Sequence, residues 1–258
     1  MPLKICTWNI NSVRLRQGLV RRLLEETAPD VLCLQETKSP VEKIPGEVFA
    51  ELGWRWQVAR GEKGYNGVAI LSRVPLEDAG RVDFCGLGDA RHVSARLEDG
   101  TLIHNLYVPA GGDVPDPEGN PKFRHKLDFV EELTERMARP GAREVLVGDL
   151  NIAPREDDVW SHREMLKVVS HTPVETEALT RAQAAGGWVD AVRRHIPDGK
   201  LYSWWSYRAK DWAASDRGRR LDHVWTTPGI ETRGASILRE ARGWEKPSDH
   251  APVTVEIA

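Results

Sequence analysis

Several apolar runs of this chain begin or end on side chains that can do acid–base or ligand chemistry. Asn9 and Asn11 follow the run Leu3–Trp8, and Glu36 follows Val31–Leu34. Tyr107 closes the run 102–106, and Asp149 and Asn151 close 145–147 within "VLVGDLNIAP" (145–154). Asp222 lies in "RRLDHVW" (219–225), and Asp249-His250 immediately precede an alternating run at 251–257. Taken singly, Asp and Asn cap helices and open turns, a lone histidine is commonly structural, and Glu36 has Lys38 beside it as an ion-pair partner. Taken together, the pattern predicts that the strand ends converge on one edge as a polar cleft. Carboxylates gathered there repel and raise one another's pKa unless a cation sits among them. Their oxygens, with those of the amides, suit a hard ion such as Mg²⁺ or Mn²⁺, and no Cys/His set with zinc spacing is present. Mg²⁺ completes its octahedron with water and phosphate oxygens, which directs the expectation to phosphate esters. In-line attack on a phosphodiester needs an activated water, neutralised non-bridging oxygens and a stabilised leaving alkoxide. Asp149 suits the first need. A His250 kept cationic by Asp222, together with the metal, suits the second, and Mg²⁺ or its bound water the third.

The elements that would carry these residues are readable from hydrophobic period. Strands are expected at 3–8, 30–37, 66–72, 92–97, 102–108, 144–148, 221–226, 232–238 and 251–257, with 92–97 half-exposed by its alternation. Helical spacing marks 13–26, a helix carrying Leu127, Val130, Leu133 and Met137 that stops at "RPG" (139–141), and 176–195 broken at Gly186-Gly187. Hairpins and strand–helix–strand units both occur, which predicts two packed sheets with helices outside. "GGDVPDPEGNP" (111–121) reads as one long surface loop, no repeat or linker is visible, and a single domain over 1–258 is expected.

Composition narrows the class. Lys and Arg number 36 against 39 Asp and Glu, so a nucleic-acid role needs a local basic patch. Three cysteines, Cys6, Cys33 and Cys85, show no CxxC, and Cys6 and Cys33 sit in apolar runs. Buried free thiols in a reducing cytosol are expected. With neither a signal-peptide pattern nor an apolar stretch long enough to span a bilayer, a soluble cytoplasmic protein is expected, without a membrane partner. No amphipathic zipper is present, so a monomer is expected.

The local basic patch exists. "RAKDWAASDRGRR" (208–220) carries five basic residues against two acidic ones beside Asp222, with Trp204, Trp205 and Trp212 interleaved. Arginines suit a phosphate backbone, and indole faces stack on bases or fill the gap of a flipped nucleotide. One of the three tryptophans is expected to be plain core. Lys122, Arg124 and Lys126 in "PKFRHK" (121–126) make a second candidate backbone contact, and Arg91 a third. Trp8, Trp54, Trp56, Trp160, Trp188, Trp225 and Trp244 are read as packing, and His162 and His171 as surface or capping residues.

"TWNINSVR" (7–14), "LCLQETK" (32–38), "NLYVPAG" (105–111), "GDLNIAP" (148–154), "RGRRLDHVW" (217–225) and "PSDHAPV" (247–253) stand in the order of the endonuclease/exonuclease/phosphatase superfamily. "WNINSVR" and "YSWWSYR" (202–208) resemble its exonuclease III branch, the bacterial abasic-site endonucleases. The resemblance covers residues 5 to 256. It implies a four-layered αββα sandwich of two mixed β-sheets flanked by helices, and a Mg²⁺-dependent phosphodiesterase. It implies that Glu36 is the main metal ligand, aided by Asn9 and Asp249. Asp149 would activate the water, with Asn151 holding Asp149 or the phosphate. His250, paired with Asp222, would bond the scissile phosphate, and Tyr107 would contact the phosphate. Arg91, Lys122, Lys126, Arg208 and Arg217 would meet duplex DNA, and Trp204 and Leu221 would line a small pocket for a flipped, baseless sugar. The stretch from Arg208 to Arg217 is about one residue longer than the family's usual form. Incision 5′ to abasic sites and trimming of 3′ ends or blocking groups are the expected activities. Two alternatives are a hydrolase of small or lipid phosphates, which needs no basic tryptophan-bearing loop, and a non-catalytic DNA-binding module, which would be expected to lose Glu36, Asp149 or His250.

Overall fold

The computed structural model describes residues 2–258. One six-stranded sheet runs in the order β13 (Thr232–Ile237), β14 (Val253–Ile257), β1 (Leu3–Asn9), β2 (Val31–Gln35), β4 (Val68–Ser72) and β3 (Trp56–Arg60). The other runs β5 (Leu76–Gly80), β6 (His92–Leu97), β7 (Leu102–Tyr107), β8 (Glu144–Asp149), β12 (Asp222–Thr226) and β9 (Val189–Asp190). A two-stranded ribbon joins β10 (Trp204–Trp205) to β11 (Gly218–Arg219). Each large sheet contains one parallel pair, β1–β2 and β7–β8, among antiparallel neighbours. Parallel neighbours need a crossover, and α1 (Gln17–Thr27) and α3 (Pro121–Arg136) lie within the two crossovers.

Strands buried on both faces read as continuous apolar runs because each face meets a different layer. In β1 and β2, Ile5, Val31 and Cys33 enter the core between the sheets. Cys6, Trp8, Leu32 and Leu34 turn outward against Val20, Leu23 and Leu24 of α1 and Phe49 of α2 (Gly46–Glu51). In β8, Val145 and Val147 face inward. Leu146 packs outward with Phe129 and Val130 of α3 and Leu179 of α5 (Pro173–Ala185). The layers are therefore helix, sheet, sheet, helix, as the sequence predicts.

Some boundaries differ. Residues 13–16 are a turn, because Asn11 and Ser12 take left-handed φ of 47° and 85° and reverse the chain before α1. β3 and the edge strand β5, whose central residues are exposed, carry no alternation that would mark them. β6 exposes only Arg96, because the segment around Gly80 and Phe84 covers the side expected to face solvent. The helix expected at 176–195 is α5, begun at Pro173 by a capping box between Thr172 and Glu175, and then the short β9 and α6 (Ala191–His195). Two short helices complete the chain, α4 (His162–Met165) and α7 (Trp212–Ser215). Cys6 and Cys33 are buried free thiols, Cys85 is half-buried, and no helix among the described residues is long and apolar enough to cross a membrane.

Candidate active site

The strand order brings the polar residues to one edge. β1, β2, β7 and β8 present their C-terminal ends there, while the antiparallel β12 and β14 present their beginnings. Asn9 pairs in register with Gln35, next to Glu36, and Asp149 pairs with both Tyr107 and Asp222. Just behind the edge, buried Gln35 donates to Asn105 (2.7 Å) and Thr7 (2.9 Å), and Asn105 donates to the carbonyls of Leu34 and Ala69. This tie fixes the offset of one sheet against the other. Gly148 lets β7 and β8 close, since a Cβ there would meet the Leu106 carbonyl oxygen at 1.9 Å. Asn11, Glu36, Lys38 and Asn151 all have left-handed φ between 47° and 53°, a local strain that collects at functional sites.

Asn9 is the hub. Its Nδ2 donates to Glu36 Oε1 and to Asp149 Oδ2, both at 2.9 Å, while its Oδ1 accepts the Asn11 N–H. Asp149 also accepts from the backbone N–H (2.9 Å) and Nδ2 (3.1 Å) of Asn151, whose amide is itself held by the Val108 carbonyl. His250 Nδ1 meets Asp222 Oδ2 at 2.8 Å, and its Nε2 lies 3.7 Å from Asp149 Oδ2, too far for a hydrogen bond. Tyr107 donates to Glu36 Oε1 at 2.9 Å.

Charge follows from this packing. Burial pushes the Asp149 carboxyl up, the negative charges of Asp222 and Glu36 add to it, and His250 and the Asn9 hydrogen bond offset only part, leaving it at about 7. Burial alone would lower His250, but the charges of Asp222 and Asp149 outweigh it and push the imidazole up to about 10. Burial pushes Glu36 up as well, yet Lys38's charge and hydrogen bond, with Asn9 and His250, hold it below the usual carboxylate range. Burial, reinforced by Glu36 and Asp149, lifts Tyr107 well above its ordinary value, so the phenol keeps its proton.

The donor set fits a hard cation. Glu36 Oε2 and Asn11 Oδ1 already hold one positive group, the Lys38 ammonium, at 2.7 and 2.6 Å. Asp249, half-buried on the same cleft, accepts from Trp204 Nε1 (2.9 Å) and Asn11 Nδ2 (3.3 Å). Asp149, Asp222 and His250 also cluster, with ligand atoms within 4.8 Å of one another. A cationic His250 bonded to Asp222 is a poor metal ligand, so the Glu36–Asp249 side is the better seat. Asn9, expected among the ligands, turns its amide hydrogens to the two carboxylates, while Oδ1, the atom that would face an ion, accepts the Asn11 N–H.

A cleft of about 720 Å³ runs from Glu36, Asp149, Asp249 and His250 to an apolar wall that includes Trp204 and Leu221. Arg208 and Arg217 are exposed residues on its lining, and Lys122 is exposed on the first turn of α3. Arg91 is half-buried, paired with Asp89 at 2.9 Å, its guanidinium 4.8 Å above the Tyr107 ring. Lys126 departs from expectation. It is fully buried, paired with Glu175 at 2.5 Å and bonded to the Asn151 carbonyl at 2.7 Å, so it cannot reach a DNA backbone. Its i+3 spacing from Phe123 already put it on the apolar stripe of α3. Trp205 is the core tryptophan, and half-buried Trp212 packs on it away from this cleft. Trp160, expected to be packing, lines the cleft beneath Arg217, 4.3 Å from the guanidinium carbon. His171 is buried rather than superficial, between the Ala153 carbonyl (2.6 Å) and His162 (2.9 Å). The Glu36–Lys38 ion pair stands as the sequence suggested, whereas sequence reasoning did not single out Gln35, Asn105 or Arg219. For Arg219 the signal was its place in the basic stretch 208–220, which does not separate it from Arg220. The Gln35–Asn105 tie spans 70 residues and left none.

Known proteins share this sequence pattern and fold. The model of the Endonuclease/Exonuclease/phosphatase family matches residues 6–250. The chain is 30% identical over 271 residues to exodeoxyribonuclease III of Haemophilus influenzae, covering 98% of this chain and 99% of that one. It superposes on an AP endonuclease from Archaeoglobus fulgidus with a TM-score of 0.91 at 32% identity, over 98% of both chains. On the 3′ phosphatase NExo from Neisseria, solved with a product DNA hairpin, the TM-score is 0.90 at 32% identity over 99% of both. The chain belongs to the endonuclease/exonuclease/phosphatase family, in its exodeoxyribonuclease III and AP endonuclease branch, and is a metal-dependent DNA repair nuclease of the phosphodiesterase type.

Proposed function

We propose that this enzyme incises duplex DNA on the 5′ side of abasic sites and trims 3′ ends or blocking groups, as a cytoplasmic monomer of one domain using Mg²⁺. The observation that carries this reading is the continuity of the cleft, from the Asp149–His250 pair to the apolar wall of Trp204 and Leu221. Asp149 accepts the proton of the attacking water, and Asn9 and Asn151 hold its carboxylate in place. His250, kept cationic by Asp222, lies beside it to bind a non-bridging phosphate oxygen. Glu36, fixed by Tyr107 and Asn9, would be the principal holder of Mg²⁺, aided by Asp249 on the same cleft. The bound ion supplies Lewis-acid charge to the phosphate and leaving oxygen. Tyr107 adds a neutral hydroxyl near the phosphate. Arg208, Arg217 and Lys122, with Arg91 at the rim, meet backbone phosphates. The apolar wall selects by exclusion, since a sugar without a base enters and has no pairing to lose.

An end-labelled duplex with one abasic site, beside the same duplex intact, each with Mg²⁺ and with EDTA, tests the proposal. A metal-dependent single cut at the lesion, with the intact strand only nibbled from its 3′ end, is expected. No cut on either duplex would overturn it in favour of a small-phosphate hydrolase.

A further inference from the structure

The apolar end of the cleft is not wholly apolar. Arg219, on β11 directly opposite Trp204 in register, lines it. Its guanidinium carbon lies 4.8 Å over the Trp204 ring. Nη1 is fixed by the Val169 carbonyl at 3.1 Å and Ser170 Oγ at 2.9 Å. Ser170 is anchored in turn, its N–H held by the Glu175 carboxylate that pairs with Lys126. Nε is buried without an acceptor, and Nη2 has no partner among the described residues. The charge has no carboxylate within salt-bridge distance, and burial draws it down to about 10. A fixed, partly desolvated cation with unused donors gains more from a ligand oxygen than a solvated one would, and loses little entropy in binding it.

If the cleft takes a flipped baseless sugar, the carbon that has lost its base is the part of that sugar whose substituents vary. A natural abasic site carries a hydroxyl or aldehyde oxygen at C1′, and a reduced one an alcohol. A tetrahydrofuran analogue has only hydrogen there. Arg219 covers one face of Trp204, so that face is closed to a stacking base, while Nη2, unbonded and not sealed in as Nε is, suits a single acceptor oxygen. We propose that Arg219 reads the C1′ oxygen of the abasic sugar, so that the enzyme prefers oxygen-bearing abasic sites to the tetrahydrofuran analogue. The inference rests on the abasic-site reading of the cleft. A site built to hydrogen-bond an oxygen discriminates against an analogue lacking it far more than an apolar pocket discriminates by shape.

The test compares kcat/KM on otherwise identical duplexes carrying a natural, a borohydride-reduced or a tetrahydrofuran abasic site, for the wild type, Arg219→Met and Arg219→Lys. Fluorescence anisotropy of the same duplexes in EDTA gives binding without turnover. The wild type is expected to favour both oxygen-bearing sites over tetrahydrofuran by about tenfold or more, in kcat/KM and in affinity. Arg219→Met should bring both ratios towards one, and Arg219→Lys should restore part. Equal incision of all three sites by the wild type would overturn the inference and leave the abasic reading standing. So would an Arg219→Met variant, folded by circular dichroism, that weakens all three equally, since Arg219 would then be a structural or backbone-phosphate contact. Incision of none of them would overturn both.

Discussion

Asp149 and Asn9 illustrate how buried polar residues can store chemistry instead of stability. A carboxylate with no solvent access and two acidic neighbours is costly to ionise, and here Asn9, Asn151 and His250 offset that cost only in part. A carboxyl poised at about 7 is a competent proton acceptor near neutral pH. Asp149→Asn keeps the shape of the site and removes the base, but it turns an amide NH2 towards N–H donors of Asn9 or Asn151 that the carboxylate accepts. Incision should fall by about 10²-fold or more in kcat. The melting temperature should change little, because relief from burying a carboxylate is set against that donor–donor clash. Single-turnover cleavage beside a thermal melt checks both, and near wild-type turnover in a folded variant would reduce Asp149 to a structural role. This residue was legible in the sequence because an apolar run ended on Gly-Asp-Leu-Asn. Arg219 was not, because nothing in "GRRLDH" says which of two adjacent arginines faces the cleft and which, as Arg220, is buried on Asp158 and Asp190.

At the scale of elements, two buried ionic assemblies brace the loops after β8. Lys126 of α3 ties Glu175 of α5 to the Asn151 carbonyl, so one ammonium connects two outer helices to the catalytic loop. Removing one partner of a buried pair strands the other. Lys126→Met should therefore cost about 3–5 kcal/mol in chemical denaturation. The second assembly is Asp158, fully buried between Arg193 and Arg220. Burial alone would raise its carboxyl, but the two guanidinium groups outweigh that and hold it at about 2. A carboxyl depressed in the folded state adds stability above its unfolded pKa, near 4, and loses it as pH falls through the folded value. Melting temperatures should therefore drop more steeply between about pH 4 and 2 in the wild type than in Asp158→Asn, whose unfolding free energy at neutral pH should be lower by about 2 kcal/mol or more. Hydrophobic period located most strands and helices because both sheets bury both faces. It missed β3, β5 and the ribbon β10–β11, where edge exposure or two-residue length leaves no period to read. It assigned Lys126 to the surface because basic residues at 122, 124 and 126 looked like one charged face, although Phe123, Lys126 and Phe129 share the buried one.

For the whole molecule, balanced charge means that affinity for a polyanion must come from where the cations lie. The cleft lining carries Glu36, Asp113, Asp149 and Asp249 together with Arg208, Arg217, Arg219 and His250. Among these, Arg208 and Arg217 are exposed and free of carboxylate partners among the described residues, whereas Arg91 is already paired and Lys126 is interior. Each phosphate neutralised by a protein cation releases counterions from the duplex and adds about 0.9 to the slope of log K against log salt. The double substitution Arg208→Ala, Arg217→Ala should lower that slope by about 2, measured by anisotropy on duplex DNA in EDTA across a salt series. A Lys126 variant still folded under the same conditions should leave the slope as it is, because its charge never meets the phosphates. An unchanged slope in the double variant would move the DNA path off the 208–217 loop, towards Lys122 and the rim around Arg91. On the proposed reading that loop would hold the strand whose phosphate must lie between Asp149 and His250, so its reach would bear on catalysis as well as affinity.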